Sequence, residues 1–381
     1  MREPEFIFVT CQIGAEAAVK GELARDWPGL RFAYSRPGFL TFKLAGEHGI
    51  DDRCLLGSVF VRAAALSLGK ATGETLNERA RSVWQLSAGH AIDRLHVWQR
   101  DLVSPDHRSA KQAEPPPLVA EVRDAILRSA PSNVNGDPKA VSAGSPLLDR
   151  TRPGDLVLDC VLVAPEQWWV GLHRVSGTAS CWPGGLFWEP LPLDAVSRAY
   201  LKMDEALAWS GLPVERGDVC VEIGSAPGGA SQALLNRGLH VIGIDPADMD
   251  PRVVSHPHFE HWKKRGADVR RREFRKVRWL TADMNVAPRY TLDTVEAIVT
   301  HREVHIEGLL LTLKLMDGAP ALAVPEYLER VRSWGYSQVA ARQLHHNRHD
   351  FCLAATTGRV RKKKAVTARV VKRLGRAARH R

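Results

Sequence analysis

Residues 219–245, VCVEIGSAPGGASQALLNRGLHVIGID, constrain the fold of this chain more than any other stretch. An apolar, β-branched run over 219–223 leads straight into Gly224-Ser225-Ala226-Pro227-Gly228-Gly229, which reads as a strand entering a glycine turn. A helix can start directly after the turn, over 232–237, and a second strand over 239–244 ends in Asp245. A β-turn-α-β unit of this length opens a doubly wound nucleotide-binding sheet. Glycines let the turn backbone approach a ligand with no Cβ in the way, and an acid ending the second strand can accept both hydroxyls of a ribose. A ligand containing a nucleoside is therefore expected. The GxGxxG spacing of a dinucleotide site fits poorly, because Gly224 is followed by Ser-Ala-Pro-Gly-Gly.

Charge adds a second constraint. The chain of 381 residues carries a net charge of +10, but residues 359–381 hold eleven Lys and Arg and no acid, leaving 42 basic against 43 acidic residues in the rest. A second basic segment, 252–278, has ten basic and three acidic residues. Two basic clusters on a neutral body point to a polyanion partner, most simply nucleic acid; a solubilising, disordered tail is the alternative for 359–381. No apolar run reaches the roughly 18 to 20 residues of a membrane span, and the opening MREPEFIFVT has acids before its short apolar strand, so neither a membrane nor a secreted protein is expected. The six cysteines are scattered with no CxxC, and several sit in apolar strand-like runs. They read as reduced core thiols, with no zinc and no disulfide expected.

In chain order, a strand over 5–11, a helix over 15–25 and a hairpin from 30–34 and 39–44 make a ferredoxin-like α+β domain ending near residue 70. Residues 71–190 read as a second α/β domain. It has helices over 76–86 and 118–129, strands over 94–100, 155–164 and 168–175, and a proline-rich loop over 104–117. Trp168, Trp169, Trp182 and Trp188 read either as base-stacking platforms or as packing. A third, α/β domain spans 191–357. It is entered through a helix within SRAYLKMDEALAW, with Ser197 as a possible N-cap.

The GxxPGG turn resembles motif I of S-adenosylmethionine (SAM) methyltransferases, specifically the FtsJ-like RNA ribose 2'-O-methyltransferases. FVTCQIGAEAAVKGEL and the mixed α/β unit at 71–190 resemble, more loosely, enzymes with a THUMP RNA-binding domain. The resemblance implies a Rossmann-like fold, SAM as cofactor and RNA as partner, with large-subunit rRNA as substrate and a cytidine as its target. It also implies that Ser197, Glu222, Gly224, Ala226, Pro227, Gly228, Gly229, Asp245 and Asp268 contact the cofactor, Asp268 at the adenine. The family's Lys-Asp-Lys-Glu tetrad maps onto Lys202, Asp283, Lys314 and Asp350, and Asp283 also faces the cofactor. Asp350 is one methylene shorter than the family's Glu, and Ala230 stands where relatives often carry an aromatic residue.

The chemistry explains the residue types. A ribose 2'-hydroxyl is a very weak acid, so attack on a sulfonium methyl needs proton removal near the transition state and close alignment. A lysine serves as base only when neutral, and burial or a neighbouring ammonium favours that form. Lys314 beside Lys202 is the expected base, with Asp283 holding it. Amino-group methylation of a base would need an Asp/Asn-Pro-Pro-aromatic motif and carbon-5 methylation a cysteine nucleophile; neither occurs near Asp283. An RNA-binding protein with a degenerate methyltransferase domain is the rival class. His345, His346 and His349, with His256, His258 and His261, lack metal-site spacing, so no metal is expected. A cytoplasmic monomer completes the reading.

If 359–381 is an RNA-contacting arm, stopping the chain at Gly358 will flatten the salt dependence of RNA binding. Each phosphate that the arm neutralises adds about 0.7 to 0.9 to the slope of log K against log salt. Equal slopes with and without the tail would mark it as a solubilising end.

Overall fold

The computed structural model describes residues 4–46, 49–105, 115–131, 151–315 and 320–358; the basic tail lies outside them. The N-terminal part comprises β1 (Phe6–Thr10), α1 (Glu16–Asp26), β2 (Leu30–Arg36), β3 (Phe39–Leu44), β4 (Ala63–Ala71), α2 (Leu76–Leu86), β5 (Arg94–Gln99), α3 (Pro117–Arg128), β6 (Leu156–Ala164) and β7 (Gln167–Arg174). Local signals set several boundaries. Thr75 and Glu78 form a reciprocal capping box at the start of α2, and Pro117 opens α3, where its missing N–H costs no hydrogen bond.

These strands form one seven-stranded sheet in the order β2-β3-β1-β4-β7-β6-β5. β4 pairs antiparallel with β1 on one side and with β7 on the other, so the boundary expected near residue 70 falls at the end of the strand that joins the two halves. Trp168 is fully buried in this sheet's core, and Trp182 packs on Phe187 with ring centroids 5.0 Å apart. All six cysteines are buried free thiols, and burial pushes Cys11, Cys54, Cys160, Cys220 and Cys352 well above the ordinary thiol range.

The C-terminal part runs α4 (Ala199–Ser210), β8 (Val219–Ile223), α5 (Gly229–Asn236), β9 (His240–Ile244), α6 (Pro251–Val254), β10 (Phe259–Trp262), β11 (Trp279–Asp283), α7 (Pro288–Val299), β12 (Gly308–Lys314), α8 (Pro320–Ser333), β13 (Gln338–Arg342) and β14 (Asp350–Thr356). Its sheet has the order β10-β9-β8-β11-β12-β14-β13. β8 to β12 pair in parallel and β14 runs antiparallel between β12 and β13. The order reverses between β8 and β11, and a doubly wound sheet binds its ligand outside the carboxyl ends of the strands at that switch point.

Two expectations shift at helix starts. α5 begins at Gly229, three residues earlier than the sequence pattern suggests, because Gly228 in the left-handed region (φ 117°) already caps it. The N-cap of α4 is Arg198, not Ser197; the Ser197 hydroxyl accepts the Ala199 N–H at 3.3 Å. Gly211, also left-handed, ends α4.

The two sheets share a core. One apolar cluster contains Ile7 and Leu40 from the first and Val221, Leu309 and Phe351 from the second, with Phe60 from the loop before β4. The segment between β13 and β14 ties them further: the Gln343 N–H donates to Val59 O (2.8 Å) and Gln12 Nε2 to Arg348 O (2.7 Å).

The basic segment 252–278 is anchored through Phe274, fully buried and edge-on to Trp262 at 6.2 Å, while Arg265, Arg270, Arg272 and Lys276 stay exposed. Phe274→Ala is expected to lower unfolding free energy by about 3–5 kcal/mol, the usual cost of emptying a phenyl site in a core. Urea denaturation measures it, and a loss below about 1 kcal/mol would show that the segment is held elsewhere.

Candidate active site

β8 ends in a turn that only glycine can make. Gly224 has φ 81°, and a Cβ there would lie 2.7 Å from the Asp283 carbonyl oxygen at the end of β11. The turn therefore packs directly against the neighbouring strand end. At Gly228 a Cβ would press on Val253, and at Gly229 on Ser197. The Ala226–Pro227 peptide is cis.

Asp245 follows β9 and faces this turn. Its Oδ2 accepts the Ala226 N–H at 3.1 Å and its Oδ1 the Ala247 N–H at 2.8 Å, so each oxygen keeps a lone pair for a further donor. Ser197 borders the turn through Gly229. Nearby, Gln232 of α5 accepts the Val196 N–H (2.9 Å) and donates to Asp194 O (3.1 Å). Asp268 is exposed in a 3-10 turn, Gly266–Asp268, which packs on Ile223 at the end of β8.

Glu222 lies beneath the turn and is buried, accepting the Ser231 hydroxyl. Burial, with the nearby charges of Asp283 and Asp245, raises its carboxyl to about 8. Ala230 is buried beside α4 residues Met203 and Leu207.

The four tetrad positions converge. Lys202 of α4 donates from Nζ to Asp283 Oδ2 and Asp350 Oδ2, both at 2.8 Å. Lys314 donates to Asp283 Oδ1 at 3.3 Å and Asp350 Oδ2 at 3.0 Å. Two carboxylates and two ammonium groups thus alternate in a closed, part-buried ring. Sheet register explains why the short Asp350 reaches. It is the first residue of β14 and sits directly opposite Lys314, the last of β12. Burial alone would lower the Lys202 ammonium, but Asp283 and Asp350 together raise it above the ordinary lysine range, so it stays charged. Burial opposes ionisation of Asp350, yet the two lysines hold it below the usual carboxylate range.

Two residues in this neighbourhood escape a reading of the sequence. Asn347, fully buried, donates to Asp350 Oδ1 at 2.7 Å and accepts the Leu344 N–H, also at 2.7 Å. Glu205, one turn beyond Lys202 on α4, accepts the His345 and His346 N–H groups at 2.7 and 2.8 Å. Burial, only partly offset by those hydrogen bonds, lifts Glu205 to about 7. The acidic pair Asp204-Glu205 after Lys202 is the one signal that points to it. His345 and His346 both turn their rings to Phe187 O, at 3.2 Å each, at the seam between the sheets.

A doubly wound sheet with a glycine cradle after its first strand and an acid after its second defines a Rossmann-like domain suited to a nucleoside-containing ligand. Residues 195–368 match the model of the FtsJ-like methyltransferase family. Relatives include Ribosomal RNA large subunit methyltransferase M of Halorhodospira halophila, 32% identical over 184 residues, which are 47% of this chain and 52% of the relative. The protein of the same name from Azotobacter vinelandii is 31% identical over 229 residues (56% and 61%), and that from Thauera aminoaromatica 29% over 214 residues (53% and 57%). The chain thus spans between about half and three-fifths of the length of the relatives it matches.

The raised Glu222 carboxyl makes a pH prediction. Its folded value, about 8, lies above the ordinary 4.5, so the folded state holds the proton more tightly. That stabilisation is present below pH 4.5 and is lost as pH rises toward 8, at up to about 1.4 kcal/mol per pH unit. Urea midpoints of the cofactor-free protein should fall more steeply between pH 5.5 and 8 than those of Glu222→Gln. Parallel curves would remove Glu222 as the source.

Proposed function

We propose that this chain is a SAM-dependent RNA ribose 2'-O-methyltransferase acting on large-subunit rRNA, as a cytoplasmic monomer. The observation that carries the reading is the ring of Lys202, Asp283, Lys314 and Asp350 at the carboxyl ends of β11 and β12, beside the glycine turn. The names of its relatives support rRNA as the substrate, and the family resemblance supports a cytidine as the target. Among the described residues no helix is long and apolar enough to cross a membrane.

The turn fits SAM because Gly224, Gly228 and Gly229 present bare backbone and Asp245 keeps acceptor capacity for two ribose hydroxyls. In this reading residues 224–229, with Ser197 alongside, cradle the methionine part, Glu222 supports the turn from below, and Asp268 faces the adenine. When bound, SAM supplies an electrophilic methyl on a sulfonium. Asp283 lies where its carboxylate would face that positive charge.

The residues of the ring then divide the work. Lys202, held as an ammonium between two carboxylates, orients the incoming 2'-oxygen and stabilises negative charge developing on it. Lys314 shares the same two carboxylates and is the group assigned to accept the hydroxyl proton. Asp350, fixed by Asn347, keeps both lysines in line. The 2'-oxygen would take the methyl from bound SAM, and the proton lost by that hydroxyl would leave on Lys314 for solvent. The N-terminal sheet, THUMP-like in this reading, and the exposed arginines of 252–278 hold the RNA backbone.

Lys314→Ala should lower methyl transfer to rRNA about 10²- to 10⁴-fold, the usual contribution of a positioned base, while SAM affinity stays within a few-fold. Asp245→Ala should instead weaken SAM binding by about 1.5 to 3 kcal/mol. Ribose-methylation mapping on rRNA from a deletion strain, with calorimetry of SAM binding, reads both. Wild-type protein that binds SAM and leaves every rRNA ribose unmodified would favour the degenerate-domain reading.

A further inference from the structure

Outside the ring of charges, three strands of the N-terminal sheet bring His96, Asp159 and His173 to one face. His96 of β5 stands directly opposite Asp159 of β6 in parallel register, and His173 of β7 is two residues from Gly171, the antiparallel partner of Asp159. All three side chains are buried. One donor atom from each lies within 4.8 Å of the others, the only such group of three His, Cys, Asp or Glu among the described residues.

We propose that this cluster is a zinc site. Asp159 Oδ2 lies 2.5 Å from His173 Nδ1, and Asp159 Oδ1 lies 3.9 Å from His96 Nδ1. Two donors at roughly 2.0–2.1 Å from a tetrahedral zinc are about 3.3 Å apart, so the observed separations bracket the required one and small rotations suffice. An ion pair with His173 would occupy only one carboxylate oxygen. Asp159 Oδ1 is buried with no hydrogen-bond partner, although its residue is wholly excluded from solvent. A buried carboxylate oxygen left in that state is costly, and a cation shared with both imidazoles satisfies it.

The far side of His173 carries the outer hydrogen bond that metal-bound imidazoles use: its Nε2 faces Ser180 O at 3.2 Å. With that nitrogen donating, Nδ1 presents its lone pair toward Asp159, an arrangement that a cation between them stabilises. Two imidazoles and one carboxylate form a donor set suited to zinc, and three protein ligands leave a fourth position for water. Room for it exists, because Asp159 and His173 line a cavity of about 470 Å³ between the two sheets. The bound ion would staple β5, β6 and β7 together. This inference is independent of the methyltransferase reading.

The test uses the full chain with its affinity tag removed, stripped with chelator and titrated with zinc alone. Elemental analysis after dialysis should give one zinc per chain, zinc should raise the melting temperature by mass action, and cobalt should give the absorption of a tetrahedral site. His96→Asn keeps the Asp159–His173 pair while removing one ligand. It should weaken zinc binding more than about 100-fold, beyond the 10- to 100-fold that losing an outer hydrogen bond costs. His173→Asn should do the same. A wild-type chain that takes up no zinc and no cobalt would overturn the proposal and leave a buried ion pair. So would uptake that both variants retain and that His258→Gln abolishes, since exposed His258 neighbours His240 and His256 on the surface.

Discussion

Two carboxylates facing two ammonium groups hold together the carboxyl end of the second sheet. The four groups come from α4, β11, β12 and β14, so their meeting depends on packing throughout the domain. Buried charges are tolerated only while compensated, and deleting one member leaves an unpaired charge that costs several kcal/mol. The ring is therefore a constraint on the sheet as much as a product of it. Because Lys314 and Asp350 are register partners, a one-residue slip of β14 would turn Asp350 to the opposite face and leave both lysines short of an acceptor. The position of Lys202 depends on a different contact, the packing of Met203 and Leu207 of α4 near Ala230 and Leu234 of α5. That same α5 begins at the glycine turn, so cradle and lysine are set by one helix pair.

What can be read from the sequence follows from how local each determinant is. The strand over 219–223, the turn after it and Asp245 lie within one supersecondary unit, and their chemistry is written in adjacent residues. β11 and β12 are legible in the same local way, since buried parallel strands are continuous apolar runs. The ring itself is legible only through family context, because nothing local tells Lys202 from an ordinary surface lysine. Whether a shortened acid can serve there depends on cross-strand register, which no spacing encodes. Asn347 and Glu205 are missed for a related reason: a buried amide and a buried acid look like any polar residue until their backbone partners are known. The pairing of β4 with β7 is non-local, so two units read from contiguous patterns turn out to be one sheet. His96, Asp159 and His173 are likewise united only by strand order, with no spacing a motif could describe.

The segment between β13 and β14 touches everything. Within eight residues it bonds to Val59 and Gln12 of the N-terminal part, to Phe187 at the seam, to Glu205 of α4, and then delivers Asp350 to the two lysines. Such a segment makes the two sheets poor candidates for modular exchange. A chimaera that grafted this C-terminal half onto another N-terminal half would strip the segment of Gln12, Val59 and Phe187, and the loop presenting Asp350 would lose its scaffold. Recombination can succeed here only when the N-terminal half travels with the loop it supports, so the two parts are expected to descend, and to be engineered, as a single heritable block.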